Sequence, residues 1–274
     1  MTLLLPDFSE FEPGADMAGV KRMNGGAVIL RAAYGASHPD TAFARLRAEA
    51  ASLGFAFCGL YQYLVAGQDA VAQAREFIRL VGKLAPHEVA ILDLEEGGGD
   101  QAPRAAQWAT LVDGTLGGMS WLYSGLDFAQ AHGLGPVFAG KRHTWVAAYG
   151  DVEPSLGHTL WQSTDGKVGS NQQDWPGAGR CDTNVYHGTL AQLAALAGPA
   201  RQEGTAVSTP PARSWKTAGI SSLVQLAADQ GTTPAVIIQL TAGRGPFAAD
   251  VAAYLDGGDL SKVMAAGLVL YLPG

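Results

Sequence analysis

Two acidic residues, Asp93 and Glu95, stand two positions apart at the end of a short apolar run, VAILDLEEGGGD (89–100). If this run is a strand, its side chains alternate between two faces, so Asp93 and Glu95 point the same way and Glu96 points the other way. Two carboxyls on one buried face are costly, because burial disfavours their charged forms. One protonated and one ionised carboxyl suit acid–base catalysis, and hydrolysis of a glycosidic bond uses such a pair. The sequence therefore predicts an active site at the end of this strand.

A salt bridge is the alternative explanation for the two acids. The local basic residues considered are Lys83 and Arg104, which fall in the predicted helices before and after the strand. Such helices pack on the outside of a sheet, so neither cation is expected to reach the two carboxyls. We therefore expect a raised pKa for the proton-donating acid, which is what a general acid needs at neutral pH.

Short apolar strands alternate with alanine-rich amphipathic helices through the first two-thirds of the chain. The strands are predicted at 3–9, 26–35, 55–64, 88–95, 119–125, 143–150, 158–164 and 181–188. Helices are predicted near 15–23, over 39–53, 68–84 and 102–116, and up to about 133. The last three strands leave no room for full helices between them.

This order predicts an α/β fold with a parallel sheet and right-handed crossovers. Eight strands at this spacing fit a TIM-like barrel of five βα units plus three further strands. A doubly wound open sheet is the competing architecture. No GxGxxG follows the first strand, so its dinucleotide-binding version has no support.

A barrel of this type carries its active site at the C-terminal ends of its strands, an end called the mouth below. Besides Asp93 and Glu95, acids are expected there at Asp7 and Asp182, although both also suit turns. Aromatic and amide side chains expected at the mouth are Tyr61, Tyr63, Tyr123, Trp145, Tyr149 and Gln162. Tyr61, Tyr63 and Trp145 either stack on sugar rings or belong to the core, and Trp161 is expected in the core.

Composition excludes several function classes. The net charge is −7, and residues 201–274 hold five acidic and five basic residues, so the acidity lies in residues 1–200. An acidic chain without a basic stripe is not expected to bind nucleic acid. The histidines lack metal-ligand spacing and no GxSxG occurs, so neither a zinc site nor a serine-hydrolase site is expected, and no cofactor is.

The N-terminal sequence MTLLLPDFSE lacks the basic segment of a signal peptide, and no run of 18 apolar residues occurs. We expect no signal peptide and no membrane partner. Cys58 and Cys181 fall in apolar or strand-like segments and are expected to be reduced and buried. A disulfide is the alternative, and it would require their strands to be neighbours.

The C-terminal quarter has a different pattern. Residues 199–214, GPARQEGTAVSTPPAR, are rich in Pro, Gly, Ser and Thr and are predicted to be a linker after a catalytic domain over 1–198. Residues 215–274 carry two predicted helices, capped by Ser221 and Thr233, and a closing strand GLVLYLP. They are predicted to form a separate small α+β domain.

Seven motifs in order resemble glycoside hydrolase family 25, the muramidase-type lysozymes that include many phage endolysins. The resemblance covers about residues 3–197, with Gln62 where histidine is usual and Ser163 where tyrosine is usual. These departures are expected to affect substrate details more than the reaction. The motifs are PDFSEFEPG (6–14), GLYQYL (59–64), ILDLEE (91–96), WLYSG (121–125), TWVAAYG (144–150), LWQST (160–164) and CDTNVYHG (181–188).

The resemblance implies cleavage of the β-1,4 bond between N-acetylmuramic acid and N-acetylglucosamine in peptidoglycan. It implies that Glu95 donates the proton and that ionised Asp93 orients or stabilises the substrate's 2-acetamido group, with Asp7 and Asp182 completing an acidic mouth. It leaves open whether Asp93 or the acetamide is the nucleophile. The tail, from Trp215 to GLVLYLP, is similar to a LysM module, which binds N-acetylglucosamine polymers.

The sequence thus predicts a monomeric, bacteriolytic phage endolysin, present in the host cytoplasm before lysis and acting on the cell wall after a separate pore-forming protein releases it. Two alternatives stay open. One is a non-catalytic peptidoglycan-binding protein of the same fold, against which the retained acids argue. The other is a host autolysin or an antibacterial effector.

Overall fold

The computed structural model describes residues 1–198 except Ala139 and Lys141. The predicted linker (199–214) and LysM-like domain (215–274) lie outside these residues. The strands are β1 (Leu3–Phe8), β2 (Ala27–Tyr34), β3 (His38–Pro39), β4 (Phe57–Tyr63), β5 (Glu88–Asp93), β6 (Trp121–Gly125), β7 (Thr144–Ala147), β8 (Leu160–Thr164), β9 (Asp174–Trp175), β10 (Gly179–Arg180) and β11 (Thr183–Tyr186). The helices are α1 (Met17–Asn24), α2 (Phe43–Leu53), α3 (Ala70–Val81), α4 (Ala102–Leu116), α5 (Leu126–Ala131), α6 (Gly135–Phe138) and α7 (Leu190–Ala195).

Eight strands close into a barrel in the order β1, β2, β4, β5, β6, β7, β8, β11. Each pair from β1 to β8 is parallel, and β11 closes the ring by pairing with both β8 and β1. Helices follow the first five barrel strands, and none lies between β7, β8 and β11. The predicted barrel of five βα units plus three strands is confirmed. An open doubly wound sheet is excluded because β1 has a partner on each side.

The last strand differs from the predicted parallel sheet. β11 runs antiparallel to β8 and to β1, because the chain between β8 and β11 forms the small β9–β10 hairpin and no helix. A parallel strand would need a crossover, which is usually helical. Consequently the beginning of β11, rather than its end, lies at the mouth. Asp182, which immediately precedes β11, therefore lies beside the C-terminal ends of the parallel strands.

Apolar side chains form two layers separated by the barrel wall. Along β5, Val89 and Ile91 belong to the interior cluster, whereas Ala90 and Leu92 belong to the cluster between the wall and the helices. The alternation continues past Leu92, so Asp93 faces the interior at the mouth. The interior cluster also contains Leu5, Ala27, Ile29, Phe57, Tyr61, Trp121, Tyr123, Trp145, Ala147 and Leu160.

Helix α2 begins later than the predicted start at Pro39. Pro39 lies in β3, which pairs with the end of β2. Asp40 accepts hydrogen bonds from the backbone N–H of Ala42 (2.9 Å) and from Arg31 Nε (2.9 Å). These contacts hold the chain outside the helical conformation until α2 starts at Phe43.

Cys58 and Cys181 are both free and buried, which confirms the predicted reduced thiols. Burial raises the pKa of each thiol above its ordinary value. In the part of the chain that the structure describes, no helix has the length and apolar character needed to cross a bilayer.

Candidate active site

Four carboxyl groups meet at the mouth. Asp93 ends β5, and Glu95 follows two residues later. Asp7 lies near the end of β1, and its backbone N–H is 3.4 Å from the carbonyl oxygen of Asp182. Asp7 affects the pKa of each of the other three carboxyls. The structure therefore brings together the four acids singled out in the sequence.

Asp93 and Glu95 are neighbouring carboxyls, and each affects the pKa of the other. Burial raises the pKa of Asp93 well above its ordinary value, and the charge of Glu95 and the hydrogen bond to it raise it further. Burial also raises the pKa of Glu95, although the hydrogen bond from Asp93 acts in the opposite direction. Asp93 Oδ1 is buried without a hydrogen-bond partner. In the free site, burial thus favours a protonated Asp93, whereas the resemblance led us to expect an ionised one.

Asp7 accepts hydrogen bonds from two side-chain amides at the mouth. Its Oδ2 accepts hydrogen bonds from Asn184 Nδ2 (2.8 Å) and Gln162 Nε2 (3.2 Å). Burial raises the pKa of Asp7 to about 6, and these two bonds limit the rise. Burial, followed by the charge of Asp7, raises the pKa of Asp182 to about 9. Near neutral pH these shifts favour an ionised Asp7 beside a protonated Asp182.

Two tyrosines fix the orientation of Gln162, which donates to Asp7. Gln162 Oε1 accepts from the hydroxyl groups of Tyr123 (2.6 Å) and Tyr149 (3.2 Å). With its oxygen engaged by two O–H donors, the amide presents its N–H to Asp7. Tyr149 is 47% exposed, whereas Tyr123 is buried. The three residues are brought together as predicted, and only Tyr149 among them offers a large accessible surface to a ligand.

Trp145 supports the mouth from inside the barrel. It is 1% exposed, and its Nε1 donates to Asn184 Oδ1 (2.7 Å). Its ring contacts Tyr123 (centroids 4.1 Å apart) and Tyr61 (6.0 Å, edge to face). Tyr61 is also buried. In this structure Trp145 orients the second amide donor to Asp7, and its own ring is buried.

Sequence reasoning missed Arg31, which extends from the interior face of β2. Arg31 Nε donates to Asp40 Oδ2 (2.9 Å) and its Nη2 to Glu10 Oε1 (3.0 Å). Its charge lowers the pKa of Asp93, but less than burial raises it. Its guanidinium carbon lies 5.0 Å from the ring centre of Phe11, which is 75% exposed. A single cation inside the apolar run GAVILRAAYG was the signal that could have revealed it.

Glu96 and Arg104 form hydrogen bonds with backbone groups of loops and not with Asp93 or Glu95. Glu96 Oε1 accepts a hydrogen bond from the backbone N–H of Ala66. Arg104 donates to the carbonyl oxygens of Glu96 (3.3 Å) and Val65 (2.9 Å). The expectation that Arg104 does not neutralise Asp93 and Glu95 agrees with these contacts. Among the described residues, no group of three His, Cys, Asp or Glu side chains is arranged to hold a metal ion.

Residues 7–171 match the protein-family model of glycosyl hydrolases family 25, more than half of the chain. The chain belongs to glycosyl hydrolase family 25. The matched range contains Asp7, Asp93 and Glu95. Asp182 and Asn184 lie beyond it, so the family 25 mouth is completed here by the antiparallel strand that follows the matched range.

The family 25 chain is 31% identical to the uncharacterized protein YegX of Escherichia coli strain K12 over 147 residues, which make up 50% of this chain and 51% of YegX. It thus spans about half the length of the curated relatives it matches.

Two solved structures share the family 25 barrel. The muramidase from Acremonium alcalophilum aligns with a TM-score of 0.60 and 25% identity, covering 71% of this chain and 98% of that one. The catalytic domain of endolysin ply40 from bacteriophage P40 of Listeria monocytogenes aligns with a TM-score of 0.56 and 24% identity, covering 71% and 98%. These likenesses support the barrel architecture.

The two departures from the family 25 motifs lie on the outside of the barrel wall. Gln62 alternates with the inward Tyr61, and it binds Trp108 Nε1 (2.6 Å) and the carbonyl oxygen of Gly35 (2.9 Å). Ser163 alternates with the inward Gln162 and donates to backbone carbonyls. Neither side chain faces the mouth, so the expected effect of these departures on substrate details has no support here.

Proposed function

We propose that this chain hydrolyses peptidoglycan at the β-1,4 bond between N-acetylmuramic acid and N-acetylglucosamine, with Glu95 as the proton donor. The observation that carries the proposal is the pair of neighbouring buried carboxyls, Asp93 and Glu95, whose pKa values are both raised. A carboxyl that keeps its proton near neutral pH can protonate a leaving oxygen. Glu95 is the less buried member of the pair and the more accessible to a substrate oxygen.

A hydrogen bond between the two neighbouring carboxyls would supply a route for the proton. In the free site burial favours the proton on Asp93. A substrate acetamide that donates its N–H to Asp93 would favour the ionised form of Asp93 and move the proton to Glu95. The unpartnered Oδ1 of Asp93 supports this step, because an acceptor without a donor is available there. Substrate binding would then create the ionised Asp93 and protonated Glu95 that the reaction requires.

The proposed reaction has two steps. Glu95 gives its proton to the glycosidic oxygen, and the bond from that oxygen to the anomeric carbon of N-acetylmuramic acid breaks. Either the acetamide oxygen or the carboxylate of Asp93 bonds to the anomeric carbon. Water then displaces that oxygen, and the ionised Glu95 accepts the proton that the water loses. The products are a muramic acid reducing end and a free hydroxyl on N-acetylglucosamine.

Replacing Glu95 by glutamine tests the proton donor. We expect Glu95→Gln to fold and to lose about 100-fold or more of its rate of wall clearing, because the amide cannot donate the proton. Glu96→Gln is the matched control, because it removes a carboxyl one residue away that binds Ala66 in a loop. Clearing by Glu95→Gln at the wild-type rate would refute the assignment.

Mass spectrometry of borohydride-reduced wall digests tests the bond. Reduced muramic acid at the new ends supports the proposal. Reduced glucosamine or free peptide would reassign the reaction. Pull-down on peptidoglycan without new reducing ends would identify the chain as a non-catalytic binding protein.

We further propose that the protein is a bacteriolytic phage endolysin, located in the host cytoplasm until a pore-forming protein releases it. The fold shared with the phage P40 endolysin domain supports this role, and the same fold in the muramidase from Acremonium alcalophilum keeps a host autolysin or effector as the second candidate. Expression in a susceptible bacterium with and without a phage holin separates them. Lysis only with the holin supports the endolysin, and lysis without it supports the alternative.

Two further proposals concern the C-terminal residues and the oligomeric state. Residues 215–274 are proposed to be a LysM-like module that binds N-acetylglucosamine polymers, on the sequence pattern described above. The protein is proposed to be a monomer. Binding of the full chain and of residues 1–198 to insoluble chitin tests the first point, and light scattering tests the second.

A further inference from the structure

The pairing of β2 with β4 contains a register shift close to the mouth. Arg31 pairs with Tyr61, whereas Ala33 pairs with Gln62 and Tyr34 with Tyr63. Ala32 is therefore an extra residue, a β-bulge of the kind that is rare in parallel pairs and frequent beside active sites. Residues three positions apart normally point to opposite faces of a strand. The bulge lets Tyr34 share the interior side with Arg31.

The bulge places Tyr34 in one transverse row with the catalytic pair. Tyr34, Tyr63, Asp93 and Tyr123 occupy matched positions on β2, β4, β5 and β6. Neighbouring strands are about 4.8 Å apart, so Tyr34 stands about 10 Å from Asp93 along this row, roughly the length of two sugar units of a β-1,4 chain.

The rings of Tyr34 and Tyr63 are stacked, with centroids 4.7 Å apart and planes 14° apart. Tyr63 borders the acids: burial raises the pKa of its hydroxyl, and the charges of Glu96, Asp93 and Glu95 raise it further. Tyr34, in contrast, is 39% exposed. The stack thus extends from the acidic pair to an accessible aromatic surface.

Backbone contacts on both sides hold Tyr34 in place. Tyr34 pairs with His38 of β3, and the backbone N–H of Gly35 donates to the carbonyl oxygen of Tyr63 (2.9 Å). Gly35 has φ of 66°, a conformation that suits glycine and turns the chain directly after Tyr34. An exposed ring fixed in this way binds a ligand with little ordering cost.

We propose that Tyr34, stacked on Tyr63, forms a sugar-binding subsite about two pyranose units from the Asp93–Glu95 pair, on the β2 side of the mouth. The ligand is an N-acetylhexosamine unit of the glycan strand, whose C–H face packs on the exposed ring of Tyr34. The inference rests on the proposed function, because it takes the glycan strand as the substrate. It adds a contact that only substrates long enough to reach β2 can use.

The test compares glycan fragments of increasing length. Tyr34→Ala is expected to lower kcat/KM about tenfold on long fragments, through KM, and to have a much smaller effect on the shortest fragments that are cleaved. Tyr34→Phe keeps the ring and should retain the wild-type dependence on length. Met23→Ala, which truncates a similarly exposed side chain on α1, is the surface control.

Calorimetric binding of the same fragments to Glu95→Gln, with and without Tyr34→Ala, separates the subsite from the reaction. A loss of affinity confined to long fragments supports the subsite, even if the wild-type protein cleaves none of them. Absence of cleavage by the wild-type protein would overturn only the proposed function. Equal losses at all lengths, or no loss at any length, overturn the subsite while leaving cleavage by the wild-type protein intact.

Discussion

Asn184 donates a 2.8 Å hydrogen bond to Asp7, a residue 177 positions earlier in the chain. This bond joins β11 to β1 at the point where the barrel closes. It also opposes the effect of burial on Asp7, whose pKa is about 6. The same contact therefore completes the fold and sets the charge of one acid at the mouth.

Asn184→Ala is expected to destabilise the protein more at pH 7 than at pH 4. The folded-state pKa of Asp7 is raised to about 6, so ionisation of Asp7 lowers the free energy of unfolding as the pH rises through about 6. Loss of a donor to the charged form raises that pKa further and costs about 1.5–3 kcal/mol at pH 7. The lost bond from Trp145 costs the same at both pH values. Urea unfolding at the two pH values measures the difference, and equal losses would contradict the role of Asn184.

Asp93→Asn is expected to move the alkaline limb of the activity profile to lower pH. In the wild-type pair, burial and the neighbouring carboxyl keep a proton bound above the ordinary pKa of a carboxyl. An amide at position 93 removes the carboxyl that shares this proton, so Glu95 loses its proton at lower pH. The maximal rate should fall about 100-fold or more. The dependence of kcat/KM on pH measures both effects, and an unmoved limb would show that Asp93 does not share the proton.

Glu88→Gln is expected to lower the free energy of unfolding at neutral pH by about 3 kcal/mol, because it leaves Arg47 without its buried partner. Glu88 accepts two 2.8 Å bonds from Arg47 at the start of β5. Burial would raise the pKa of Glu88, but the bonds from Arg47 and Ala85 lower it. Its contribution is therefore present above the unfolded pKa of about 4.3 and is lost as the pH falls through the folded value.

Glu49→Gln provides the control for this prediction, because Glu49 pairs with Arg45 on the surface of α2. Its effect should stay within about 0.5 kcal/mol. Denaturant unfolding at pH 7 and pH 3 distinguishes the two variants. A loss for Glu88→Gln that is unchanged at pH 3 would indicate a packing effect and not the ion pair.

Gln62→Leu is expected to lower the free energy of unfolding by about 2–6 kcal/mol without changing the kcat of the folded protein. It leaves the Trp108 N–H and the Gly35 carbonyl unpaired in a buried region, at about 1–3 kcal/mol each. The side chain lies outside the barrel wall, away from the four acids. Thermal unfolding measures the stability, and the kcat on glycan fragments measures the catalytic effect. A large fall in kcat at a temperature where the variant is folded would place Gln62 in the catalytic machinery after all.

Local patterns carried much of the prediction. The alternation of apolar runs and amphipathic segments predicted five βα units and three further strands, and alternation within one strand predicted that Asp93 and Glu95 share a face. Both patterns depend on backbone geometry that repeats every few residues. The sequence did not reveal Arg31 as a neighbour of Asp93, because Arg31 lies on another strand, far from Asp93 along the chain.

The sequence by itself determined the order of elements, the mouth as the place of the acids, and the Asp93–Glu95 pair. The tertiary structure alone decided the antiparallel direction of β11, the bulge at Ala32, and the donors that hold Asp7. It also decided that burial raises the pKa of both carboxyls of the pair. These features depend on pairings between distant segments and on the removal of water from the mouth. Neither leaves a periodic trace along the chain.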